Sequence, residues 1–165
     1  MKLRFIGNYI LNYNIVIKFK GQVYFMKKVR GYIETKKQGV FELHIKETEE
    51  KLGAIFPAQY RDLFKLVNNA EIGEWILYPI KDNRNLVKTW DDIVRQNVEL
   101  SDEHMPEDLI IIGDDGSGDK LCFKINNGIM DDEIYIWYHE DAEIEEIAPN
   151  LKDFIIETIQ EDDDL

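Results

Sequence analysis

The chain has 165 residues, 44% of them hydrophobic and 12% aromatic, which is enough for one domain with a real core and excludes disorder for its body. Its 33 acidic side chains outnumber 20 Lys and Arg for a formal net charge of −13, a balance that repels nucleic-acid phosphates and anionic membranes. One cysteine, Cys122, excludes an internal disulfide framework and a thiolate zinc cluster, and the composition fits a reducing cytoplasm.

Charge is segregated along the chain: residues 1–46 carry +8, residues 47–98 carry −2, and residues 99–165 carry −19. Such runs are ordinarily solvated faces that keep a protein soluble. The sharper expectation is a surface aimed at a basic protein. Residues 1–25 do not read as a secretory signal, because Asn8, Asn12 and Asn14 interrupt the apolar run. They read either as a strand-forming extension or as chain upstream of an alternative start at Met26. Within them Ile15, Ile17 and Phe19 alternate with Lys18 and Lys20, and Val23-Tyr24-Phe25 offers a return strand of a β-hairpin. No stretch approaches the ~20 apolar residues of a membrane span.

Met26, Val29 and Ile33 then fall at helical spacing, with Gln38-Gly39 as the stop. A better helix follows, with Ile45, Glu49 and Leu52 at i, i+4, i+7 and Gly53 where a left-handed residue closes the end. Phe56-Pro57 opens the next, whose stripe is Tyr60, Leu63, Phe64 and Val67 and whose stop is Asn68-Asn69. Trp75 to Tyr78 reads as a strand ended by Pro79. Thr89 with Asp92 resembles a capping box ahead of a face of Trp90, Ile93, Val94 and Asn97.

Beyond Pro106 the period changes from helical to alternating. Leu109–Ile112, Leu121–Ile125 and Ile134–Tyr138 read as strands, with a turn at Asn127-Gly128. Leu151, Phe154, Ile155 and Ile159 give a closing helix, and residues 161–165 an acidic tail expected to fray. Short links between strands imply antiparallel pairing. The expected fold is α+β, with N-terminal helices packed on a mostly antiparallel sheet of about four to six strands and a C-terminal helix. The expected organisation is an extension over residues 1–25, one domain over 26–160, and the tail.

The loop Gly113-Asp114-Asp115-Gly116-Ser117-Gly118-Asp119 lies between two strands. It lacks the ligand order of an EF-hand, and a phosphate cradle would need a helix after Lys120, where a strand follows. It therefore reads as a glycine-permitted turn with an acidic tip. A metal-dependent nuclease built from His139, Asp114 and Asp119 has no spacing to tie it together. Cys122 sits mid-strand between Leu121 and Phe123, where a small core hydrophobe is the ordinary role. Trp75, Trp90 and Trp137 each fall on a predicted element, where core packing is the ordinary role and an exposed one would anchor an interface. No catalytic, metal or cofactor site is expected.

The order of these fragments carries more information than any one of them. Glu49-x-x-Leu52-Gly53-x-x-Phe56-Pro57-x-x-Tyr60-x-x-x-Phe64, followed by an asparagine pair, resembles the opening signature of the SUKH superfamily of Smi/Knr-like proteins. Ile112-Gly113-x-x-Gly116-x-Gly118-Asp119 is similar to its central strand–turn–strand motif, and Ile134-Tyr135-x-Trp137-x-His139-Glu140 with Ile147-Ala148-x-x-Leu151-x-x-Phe154-Ile155 to its last strand and helix. The resemblance runs from Glu42 to Gln160. Departures are Phe56 for the usual leucine, Asn68-Asn69-Ala70 for Asn-Gly, and Lys124 where an acid is common.

The resemblance implies a non-enzymatic bacterial immunity protein that binds and neutralises a cognate toxin, with a regulatory scaffold as the alternative. The partner is expected to be a basic toxin protein such as a nuclease, with no direct nucleic acid and no membrane, and the chain a monomer or weak dimer in the cytoplasm. Charge places the expected toxin-binding residues at Asp114, Asp115, Asp119, Glu140 and Asp141.

Overall fold

The computed structural model describes Arg30, Ile33, Thr35, residues 37–100 and residues 104–163. The hairpin expected within residues 13–25 lies outside the described residues. So does most of the helix expected from Met26. Where that helix should continue, at Ile33, Thr35 and Lys37, the chain is not helical. Two tertiary demands account for this. The Val40 N–H donates to the Phe64 carbonyl at 2.8 Å, and a Cβ on Gly39 would lie 2.0 Å from the Lys65 carbonyl oxygen. The segment is pinned against the end of a later helix, so its local spacing does not decide its conformation.

Helix α1 spans Glu42–Leu52 and buries Ile45 and Thr48. Gly53 closes it at φ +66°, as the sequence predicts. The motif residue Glu49 joins this helix to the next: its carboxylate accepts the Phe56 N–H at 2.9 Å and pairs with Arg61, which also pairs with Glu42. Helix α2 spans Ala58–Leu66, with Pro57 at its cap and Tyr60, Leu63 and Phe64 buried. Phe56, Tyr60 and Phe64 form a ring cluster that meets Phe123 of the sheet, the Tyr60–Phe123 centroids lying 5.2 Å apart. Phe56, the departure from the leucine of the resemblance, is buried in this core. Asn69 adopts φ +63° and so takes the backbone role of the missing glycine.

Among the described residues seven strands form the sheet: β1 (Glu71–Ile72), β2 (Trp75–Leu77), β3 (Leu109–Asp114), β4 (Lys120–Asn126), β5 (Ile129–Met130), β6 (Ile134–Trp137) and β7 (Ile144–Ala148). The order is β1-β2-β3-β4-β6-β7, with β5 on the far end of β4, and every neighbouring pair is antiparallel. The fold is therefore α+β as expected. Asn127 and Gly128, both at positive φ, form the turn into β5. Strand β3 carries an irregularity between Ile111 and Gly113, and Gly113 sits where a Cβ would meet the Ile76 carbonyl oxygen at 2.6 Å. Only glycine lets β2 approach so closely.

Helix α3 spans Ile93–Val98, and here the expected capping box fails. Asp92 is the cap instead, accepting from the N–H groups of Val94 and Arg95 at 2.9 and 3.1 Å. The Thr89 hydroxyl is already engaged, accepting the Asp82 N–H and donating to the Asn85 carbonyl, so it brings no partner to the helix. Trp90 therefore falls outside the helix and stays exposed beneath the Arg95 guanidinium, whereas Trp75 and Trp137 are core. Asn97 of α3 donates to the Ile111 carbonyl and accepts its N–H, both at 2.8 Å, standing in for a strand where β2 has ended.

Helix α4 spans Leu151–Asp163. Asn150 caps it by accepting the Asp153 N–H and donating to the Asp153 carboxylate, and Leu151, Phe154 and Ile155 are buried. Its last turn runs into the expected acidic tail. Cys122 is fully buried, which pushes its thiol up to about 12 and leaves it un-ionised at neutral pH. No helix among the described residues is long and apolar enough to cross a membrane.

Candidate functional site

The pairing of β4 with β6 sets Lys120 opposite Trp137. The β3–β4 loop and the β6–β7 connection therefore emerge at the same end of the sheet. Each is stiffened by its own polar side chains. Asp114 accepts the Gly116 N–H at 3.1 Å, and Asp115 accepts both the N–H and the hydroxyl of Ser117. In the other loop, Asp141 accepts the Glu143 N–H at 3.1 Å, and the Tyr138 and Glu143 backbones pair at 2.9 Å.

One contact clasps the two loops together. Asp119 accepts the His139 N–H at 3.0 Å and lies 2.8 Å from its Nδ1. These contacts with the His139 side chain and backbone hold the Asp119 carboxyl below its ordinary value. The clasp therefore contributes stability above that ordinary value and loses it as pH falls through the lowered one. Gly118 makes room for it, at φ +122° with a Cβ position only 2.9 Å from the His139 ring. Replacing Gly118 with alanine is expected to cost about 1–3 kcal/mol in backbone strain and to push the ring away. A carboxyl-detected NMR titration checks this: in the Gly118→Ala variant the Asp119 carboxyl rises back toward its ordinary value.

The five sequence-derived residues share this end of the molecule but differ in what they present. Asp114 is half-buried, accepting the Tyr78 hydroxyl and lying 3.7 Å from Lys120 Nζ. Burial first, and this bond second, raise the Tyr78 hydroxyl far above its usual range. Asp114 and Asp119 thus serve mainly to hold the loops. Asp115 is half-buried, while Glu140 and Asp141 are exposed.

Sequence reasoning missed Glu143, Glu145 and Glu146, all exposed on or beside β7. Tyr138 donates to Glu145 at 2.8 Å and Tyr135 to Glu146 at 3.5 Å, and Lys124 covers the Tyr135 ring at 4.1 Å. The only signal was the spacing of Ile144 and Ile147, which looks helical. A register shift opposite Ile134 and Tyr135 makes Ile147 the extra residue of a bulge, so the alternation that marks a strand is broken. Charges along an edge strand also protect it from pairing with other chains, the ordinary role of such residues.

Chemically the face is a set of acceptors. His139 and Asp119 meet, but the Asp114 carboxylate is engaged by Tyr78, Lys120 and Gly116, so the imagined metal trio does not assemble. Among the described residues no three His, Cys, Asp or Glu side chains could hold a metal ion.

The family model described as SMI1-KNR4 cell-wall, SUKH_5, matches residues 13–160 and so extends upstream of Glu42, where the resemblance read from the sequence begins. No curated protein matches the chain. The motif residues are structural in this fold: Glu49 ties two helices, Gly53 closes the first, Asn69 turns the chain at positive φ beyond the second, Gly113 admits β2, and Gly118 admits His139. With nine-tenths of its length matched and each motif filling a defined place in the α+β fold, the chain belongs to the SMI1-KNR4 family of the SUKH superfamily.

Proposed function

We propose that this chain is an immunity protein, acting in the cytoplasm without turnover, that binds a basic cognate toxin and occludes it. A nuclease fits best, because its phosphate-binding groove is itself cationic. The observation that carries the reading is the concentration of exposed carboxylates on the clasped loops and on β7. Glu140, Asp141, Glu143, Glu145 and Glu146 fall within seven residues, and among the described residues no lysine or arginine pairs with them. A preorganised acidic face speeds encounter with a basic partner by about 10–10³-fold at low salt. Asp115 belongs to the same face, with Asp114 and Asp119 fixing its shape. Tyr135 and Tyr138 supply apolar area among the carboxylates, which tight holding requires.

Co-expression with the product of the adjacent gene, where that gene encodes a toxin, tests the reading. The expected result is a complex that co-purifies and restores growth of cells making the toxin. A chain that neither binds nor protects would end it. The family's cell-wall description favours a second reading, a non-catalytic scaffold for intracellular partners. Recovery of several endogenous partners and no toxin is its signature.

A further inference from the structure

A cavity of about 460 Å³ lies away from the acidic face, beside the chain that follows β2. Its lining is the opposite of the molecule's overall charge: Lys37, Arg84 and Lys88 surround the buried polar side chains Asn68, Asp82 and Thr89. That lining is rigid. Asn68 holds the Ile80 backbone through two bonds of 2.8 Å, and Thr89 accepts the Asp82 N–H at 3.0 Å. Arg84 lies fork-on against Asp82 at 2.7–3.0 Å, donates to the Gly39 carbonyl at 2.9 Å, and covers the Phe41 ring. The one carboxylate among the described lining residues is therefore neutralised by Arg84.

Two lysines remain. The Lys37 ammonium donates to the neutral side-chain oxygen of Asn69, and Lys88 makes no ion pair with a described residue. A concave site with a net positive lining, on a chain of net charge −13, needs a reason. Solubility does not supply one, since a protein this acidic gains nothing from clustered cations. We propose that this cavity binds an oxyanion, the phosphate or carboxylate group of a small molecule, with Lys37 and Lys88 as the two charged donors. The volume lies within the range of small-ligand sites. Lysine provides compact, mobile point charges, which suit a singly anchored phosphate or carboxylate better than a planar bidentate fork.

The test is an NMR titration of the full chain with inorganic phosphate, and separately with acetate, at constant ionic strength. The Asn68 side-chain amide and the Thr89 backbone amide report on the cavity. Saturating shifts with phosphate alone assign a phosphate ligand, and saturating shifts with both assign the wider oxyanion class. Either is expected to weaken tenfold or more in the Lys37→Gln, Lys88→Gln double variant, whose sites are not in the core. Absence of saturation with both anions, or equal binding by the double variant, overturns the proposal.

Discussion

Replacing Asn68 with alanine is expected to lower the free energy of unfolding by about 2–4 kcal/mol. The side chain is 3% exposed and makes two bonds to one residue, accepting the Ile80 N–H and donating to the Ile80 carbonyl, each at 2.8 Å. Ile80 follows β2, is itself buried, and has no strand beside it to take those groups. Truncation therefore strands one buried donor and one buried acceptor, each costing about 1–3 kcal/mol when unpaired. The same segment fixes α3, because the Ile93 N–H donates to the Pro79 carbonyl at 2.9 Å. In a domain of this size the loss lowers Tm by roughly 4–16 °C. Urea unfolding followed by circular dichroism measures it. Asn97→Ala provides the internal comparison. Asn97 makes the same pair of bonds to Ile111 but is half-exposed, so water can replace it and the loss should be smaller. Equal losses at the two sites, or a negligible one at Asn68, would contradict the argument.

The contrast between these asparagines and the turn residues shows what a sequence discloses. Gly53, Asn69 and Asn127-Gly128 were legible because each solves a local problem, a backbone turn at positive φ. The stripe of Tyr60, Leu63 and Phe64 was legible because helical period and burial agree. Asn68 was legible only as a helix stop. Its clamp on Ile80 depends on a partner twelve residues away, and no local pattern encodes that. Strands β1 and β5 have two residues each, too short to show a period. Strand β7 is hidden by its bulge. Thr89 and Asp92 had the right spacing for a capping box, yet the hydroxyl went to a tertiary contact and the carboxylate capped alone. The acidic loops were legible as acidic. Their meeting through Asp119 and His139 was not, because β5 intervenes in the chain between two strands that pair in space.

That meeting is what makes charge reversal on the face informative. The triple variant Glu140→Lys, Asp141→Lys, Glu143→Lys is expected to slow association with a basic toxin by about 10–100-fold at low salt. All three side chains are exposed, and only Asp141 has a local bond, to the Glu143 N–H. The Asp119–His139 clasp and the core beneath it are untouched, so Tm should hold within a few degrees. The dissociation rate should change less than the association rate, because steering by rim charges acts before contact is made. Raising the salt concentration should bring variant and parent together, since at 1 M the screening length is only about 3 Å. Asp114→Asn separates presentation from support: Asp114 is paired inward with Tyr78 and Lys120, so its loss should reduce stability while leaving the low-salt association rate nearly unchanged. Stopped-flow binding at several salt concentrations reads all of these. If the triple variant kept the parent's association rate and salt slope, the carboxylates would be solvated edge protection, and toxin recognition would have to lie on another face of the fold.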